Sequence, residues 1–163
     1  MSVYSPWLRK WIVILECNDS YLAASPQPDR NPPSTRQNFS QLFDQKIPTA
    51  PSSHILSEDN QMKFALLWPA GEHSAQERLD KFCQERIRDY ALNRSKPGLE
   101  ASSCMSVHLS QGTISSRACI RQARASNTSK KLDKGIDGNI SWISEVAWRY
   151  FYRRNPHHHI FKV

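Results

Sequence analysis

Between residues 79 and 91 the apolar side chains Leu79, Phe82, Cys83, Ile87, Tyr90 and Ala91 recur at intervals of three and four. That spacing lines one face of a helix, whereas the face of a strand needs strict alternation. Glu77, Arg78, Lys81, Glu85, Arg88 and Asp89 fill the remaining positions, so a helix is predicted over 74–94, ended by Pro97 and Gly98. No segment alternates as a strand would, and the region after Trp68 reads as all-α. A shorter helix is expected after Ser103, stopping near Gly112, where glycine suits a left-handed exit. Ser115 is placed to cap another running through Arg117, Ile120, Ala123 and Arg124. After the polar loop SNTSKKLDKGIDGN a last helix is expected over 140–153, with Ile143, Val146, Ala147 and Phe151 as its apolar contacts.

The start of the chain has another character. Six of the ten prolines (Pro26, Pro28, Pro32, Pro33, Pro48 and Pro51) lie between residues 24 and 55, and all five glycines lie at or after Gly71. Proline removes a backbone donor and restrains the residue before it. Residues 1–66 therefore read as a connector, with a short helix near 6–16 and an irregular stretch over 17–55. Pro6 suits a first helical position with Ser5 as cap, which puts Trp7, Trp11, Ile14 and Leu15 on one face. Residues 67–154 read as the helical domain and 155–163 as a divergent tail.

Charge divides the same way. The 163 residues carry 22 Lys and Arg against 15 Asp and Glu, a net +7. Residues 1–71 balance to zero, so the whole excess sits in 72–163. A basic half is what a polyanion-binding surface needs, and is equally what a solvated face looks like. The cysteines Cys17, Cys83, Cys104 and Cys119 form no C-x-x-C pair and fit neither a zinc site nor a compact disulfide framework. Scattered thiols suit a reducing compartment. The apolar run WIVIL ends at Glu16, too short for a signal segment or a membrane span. An intracellular, non-secreted protein with no membrane partner is expected, nuclear if the source is eukaryotic.

Four clusters can carry chemistry. Trp142, Glu145 and Arg149 follow one stripe of the last helix, with Trp148 and Tyr152 as a neighbouring pair. An acid and a guanidinium flanked by tryptophans suit a flat, polar-edged ligand such as a nucleobase, while the plain alternative is an aromatic face with a Glu145–Arg149 ion pair. Ser102, Ser103 and Ser106 precede a helix and could donate to a phosphate or simply cap it. Tyr90 and Arg94 form an i,i+4 pair at the end of the long helix, whose plain reading is a core tyrosine and a solvent arginine at a helix C-terminus. His157, His158 and His159 have no nearby acid or cysteine cluster, so no metal site is expected.

Together these blocks resemble the flavin-dependent DNA photolyases and cryptochromes, most closely the class I cyclobutane pyrimidine dimer photolyases of fungal type. LWPAGEH (67–73), the helix ending in Tyr90 and Arg94, EASSCMSVHLSQGTISSR (100–117) and WISEVAWRYFY (142–152) resemble four ordered blocks of the family's helical FAD-binding domain. VYSPWLRKW resembles the start of its interdomain connector. The resemblance implies a mostly α fold: the N-terminal part of that all-helical domain behind a Pro-rich connector. It implies FAD as cofactor, DNA with pyrimidine dimers as partner, and light-driven dimer repair, a carbon–carbon lyase activity. By the same resemblance Tyr90, Ser102, Ser103, Cys104, Met105, Ser106, Trp142 and Arg149 match FAD-binding positions. Arg94, Glu145, Trp148 and Tyr152 match positions facing DNA or the lesion, with Trp148 packing on the flipped-out dimer.

The sequence also departs from that pattern. Glu100 and Ser102 replace Asp and Thr, Met105 replaces Leu, Val107-His108 replaces Pro-Tyr, and Tyr150 and Arg154 replace an acid and a histidine. Measured against the family, the chain is expected to be a truncated fragment. It is expected to lack the antenna domain and the C-terminal part of the FAD site, and not to be active alone. A non-catalytic cryptochrome-like photoreceptor fragment and a basic DNA-binding remnant are the alternatives.

Overall fold

The computed structural model describes residues 3–46 and 48–154, the side chain of residue 154 excepted. Among the described residues there are helices and turns but no strand. The chain divides into two compact units. One combines the stretch up to Ala24 with the stretch from Pro69 onward, and the other is Ser25–Trp68.

The first unit holds the core. Helix α1 (Tyr4–Cys17) begins two residues earlier than predicted, behind Val3, and no side chain caps it, so Ser5 is not the N-cap. Pro6 is tolerated because N–H groups of a first helical turn have no intrahelical partner. Trp11, Ile12 and Leu15 pack on the core, whereas Ile14, expected on that face, is 46% exposed. A 3-10 turn follows at Asp19–Leu22 and buries Leu22.

The predicted 74–94 helix exists as three pieces. These are α5 (Glu72–Glu85), a 3-10 turn at Ile87–Asp89 and α6 (Tyr90–Asn93). The apolar face survives the break, with Leu79, Phe82 and Ile87 fully buried. At the break the carbonyls of Ile87 and Arg88 lie so close to Gly138 that a Cβ there would collide with them. A helical stripe of side chains and a local loss of helical backbone are compatible, because a neighbouring element can claim the freed carbonyl surface. Helix α7 (Ser106–Gln111) ends at Gly112, which adopts the expected left-handed conformation with φ of 78°. Helix α8 (Ser116–Ala125) is capped by Ser115, whose hydroxyl accepts from the Ala118 N–H. Helix α9 (Asp137–Arg154) starts three residues before the expected boundary and buries Ile143, Val146, Ala147 and Phe151 as anticipated. It packs against α1, α6, α8 and the Ile87–Asp89 turn. Buried Asn139 ties α9 to the end of α8, donating to the Ala123 carbonyl at 2.8 Å.

The second unit is more ordered than its prolines suggested. It contains α2 (Pro33–Asn38), α3 (Ser40–Phe43), a 3-10 turn at Ser52–His54, and α4 (Glu58–Leu67), and none of these elements has a buried residue. Helix α4 escaped sequence reading because Met62, Phe64, Leu66 and Leu67 crowd its end instead of recurring along a face.

Candidate nucleotide and lesion site

Helix α9 presents its polar and aromatic residues to different neighbours. On the side of α6, the Glu145 carboxylate meets the Arg94 guanidinium at 2.6 Å, and Arg94 also donates to the Ser141 hydroxyl at 3.2 Å. The same guanidinium lies over the Tyr90 ring, 5.5 Å from its centroid. Tyr90 also packs edge to face with Phe82, so its ring touches the core as well as the guanidinium. Burial lifts the Tyr90 phenol above its ordinary range, with Arg94 opposing the shift and Glu145 adding to it. Glu145 therefore pairs across helices with Arg94, and the anticipated Glu145–Arg149 pair within α9 does not form. Arg149 donates instead to the Leu109 carbonyl at 2.7 Å, a bond that satisfies one of the unpaired carbonyls in the last turn of α7.

Toward α7, Trp142 is 3% exposed and donates its indole N–H to the Ser103 hydroxyl at 3.1 Å. Ser103 also accepts from the Met105 N–H at 3.4 Å. The serines do not cap α7: its N-cap is Met105, with no side-chain cap bond. Cys104, between them, sits at φ of 53°, the left-handed region that non-glycine residues seldom occupy. This kink leaves Ser102 and Ser106 exposed on either side of buried Ser103 and Met105. For an FAD phosphate the chemistry of the donor set fits at Ser102 and Ser106, whose hydroxyls can donate to an anion. Ser103 and Trp142 are committed to each other, and Met105 is part of the core.

Toward α1, Trp148 stacks on Tyr4 and lies parallel to Tyr152, the latter with centroids 5.2 Å apart. Tyr152 is 44% exposed and Trp148 is half-buried. The Tyr4 hydroxyl bonds to the Ser144 hydroxyl and carbonyl at 2.8 and 2.9 Å. Burial lifts the Tyr4 phenol above its ordinary range.

Eight of the twelve sequence-predicted positions fall into three groups, while Arg149 turns to the Leu109 carbonyl and Ser102, Cys104 and Ser106 line the entry to α7. Tyr90, Arg94 and Glu145 converge, as do Ser103, Met105 and Trp142, and Trp148 joins Tyr152. Sequence reading missed Tyr4, Ser141, Ser144 and the Leu109 carbonyl. Nothing in the pattern around Tyr4 signals a partner 144 positions further on. The three consecutive histidines lie outside the described residues, and among the described residues no group of three or more His, Cys, Asp or Glu is placed to hold a metal ion. No helix of the described residues is long and apolar enough to cross a membrane.

The chain is related to the deoxyribodipyrimidine photo-lyases. It is 47% identical over 152 residues to that of Neurospora crassa, covering 93% of this chain and 25% of the relative. It is 38% identical over 85 residues to the Buchnera aphidicola protein (52% of this chain, 17% of the relative). It is 29% identical over 164 aligned residues to the Synechococcus protein (96% of this chain, 31% of the relative). The chain thus spans about a quarter of the length of the first of these relatives. No family model matches it, and no solved structure does.

Proposed function

We propose that this chain works as one portion of a light-driven, FAD-dependent enzyme that repairs cyclobutane pyrimidine dimers in DNA inside the cell, in the nucleus of a eukaryote. The carrying observation is the convergence of Tyr90, Arg94 and Glu145, three positions that the resemblance assigns to cofactor, DNA and lesion, in a chain 47% identical to the Neurospora relative.

In this reading Ser102 and Ser106 hold the phosphates of FAD through their hydroxyls. When bound, FAD supplies the light-driven electron transfer. The chain's own residues bind and orient the substrate. Glu145 is half-exposed and ionic, so it can accept from the N–H edge of a flipped base. Arg94 holds that carboxylate in place and offers its remaining N–H groups to a backbone phosphate. The exposed part of Trp148 covers an apolar face of the dimer and excludes water from it.

A chimera tests this. The matching quarter of the Neurospora photo-lyase is replaced by this chain, and repair of a dimer-bearing oligonucleotide is followed under blue light. Repair is expected. A chimera that folds and takes up flavin but leaves the dimers intact would overturn the proposal.

A further inference from the structure

Helix α8 carries Arg117, Arg121 and Arg124 at intervals of four and three, which places them on one face. The loop that follows, residues 126–136, carries Lys130, Lys131 and Lys134, all exposed. Between helix and loop runs an open groove of about 610 Å³, lined by Arg121, Arg124, Asn127, Thr128, Ser129 and Lys130, with Asp19 on its far side. Arg121 spends one Nη1 bond, 2.8 Å, on the Leu22 carbonyl. Arg124 spends one, 2.9 Å, on the Asp19 carboxylate. The Leu22 bond holds the Arg121 guanidinium, and both side chains keep further N–H groups of the fork for a ligand in the groove. Asp19 is the one acid of the lining; its side chain is 81% exposed, so its pairing with Arg124 is of the weak, exchangeable surface kind. The groove wall is shaped by Asn127, whose Oδ1 accepts from the Thr128 and Ile136 N–H groups and whose amide donates to the Lys134 carbonyl. Gly135, at φ of 105°, lets that side chain approach where a Cβ could not.

We infer that this groove is a second nucleic-acid contact, a phosphate-backbone surface separate from the Tyr90–Arg94–Glu145 cluster and indifferent to damage. Guanidinium groups beside hydroxyl and amide groups and a lysine rim form the donor set that phosphates of a duplex use for positioning rather than for sequence reading. A cationic groove of this kind also raises the rate of encounter with a polyanion. The inference rests on the reading that the protein acts on DNA, but not on flavin or on the lesion pocket.

The test is binding of the full chain to an undamaged duplex, by fluorescence anisotropy across a salt series. Lys130→Glu with Lys131→Glu is compared with a pair of equal charge change placed elsewhere, Lys63→Glu with Lys81→Glu. Helical content by circular dichroism is followed for both. The groove pair is expected to bind at least about tenfold more weakly at low salt and to flatten the salt slope by about one for each phosphate that is no longer neutralised. The control pair should stay within about threefold of the parent on the same electrostatic grounds. Equal losses in both pairs would show a mere net-charge effect and overturn the inference, as would no loss in either. A parent chain that ignores the duplex but binds an acidic peptide would overturn it too. Repeating the series with a dimer-bearing duplex separates the two proposals: loss of any preference for damage counts against the lesion site alone, with the groove result standing.

Discussion

The rings of Tyr4 and Trp148 lie face to face, with centroids 3.4 Å apart and planes 11° from parallel. One residue opens α1 and the other sits near the end of α9, so the beginning of the described chain is fastened to the helix that carries the candidate lesion contacts. Trp7 and Phe151 extend the contact, at 5.3 Å and 60°. Removing the ring should loosen this junction. Tyr4→Ala is expected to cost about 2–3 kcal/mol of stability in urea unfolding, from lost apolar burial and the cavity left behind. Tyr4→Phe keeps the stack and loses only the bonds to Ser144, a cost of about 1 kcal/mol.

The Arg94–Glu145 pair predicts little for stability and much for binding. Each side chain is 37% exposed, so solvent screens the attraction. Glu145→Gln should shift the unfolding free energy by no more than about 1 kcal/mol. In the repair-competent chimera the same change should weaken discrimination of dimer-bearing from intact DNA by about tenfold, because an N–H acceptor is replaced by a weaker one.

Gly138 should be intolerant of any side chain. A Cβ there meets backbone at Ile87 and Arg88, and backbone cannot turn aside. Gly138→Ala is expected to destabilise by about 3 kcal/mol through overpacking. Gly98, with open space around it, is the contrast. Gly98→Ala should be neutral or stabilising by about 0.5 kcal/mol, since it restricts the unfolded chain. Urea midpoints of the two variants check both statements.

Ser103→Ala should destabilise by about 1–3 kcal/mol, because it strands the buried indole N–H of Trp142. A blue shift of tryptophan emission should accompany it if the hydroxyl is replaced by a dry contact.

The thiols should separate into two classes. Burial pushes Cys83 and Cys119 up to about 12 from an ordinary 9.0. Cys17 is exposed and Cys104 partly so. A thiol reagent at pH 8 should label two thiols quickly and the other two only as the protein unfolds. The raised values also set a pH dependence. The folded state holds these protons more tightly than the unfolded chain, so their contribution to stability is whole below pH 9. It declines as pH rises from 9 towards 12. Urea midpoints measured at pH 8 and pH 10.5 should fall accordingly. A Cys83→Ala variant should show a smaller fall.

Local chemistry fixed a good part of this molecule. The Leu79–Ala91 spacing, the Ser115 cap, the left-handed Gly112 and the buried Ile143–Phe151 face were all legible, because each depends on residues within a turn or two of one another. Periodicity reports which face is buried, and burial followed it even where the backbone did not. The break after Glu85 was invisible because the Ile87 and Arg88 carbonyls beyond it lie against Gly138, some fifty positions away, and no window of helical spacing contains both.

The site divides along the same line. That residues 142–152 would carry an acid, a guanidinium and aromatic rings on one helix needed only the order of side chains along it. Which neighbour each would meet was decided by the tertiary fold. Helix α6 brought Arg94 to Glu145, the end of α7 drew Arg149 to the Leu109 carbonyl, and α1 laid Tyr4 on Trp148. An ion pair or a ring stack is short-ranged and needs its partner within a few ångströms. Sequence order sets what a helix offers, and only packing between distant segments sets what takes it up.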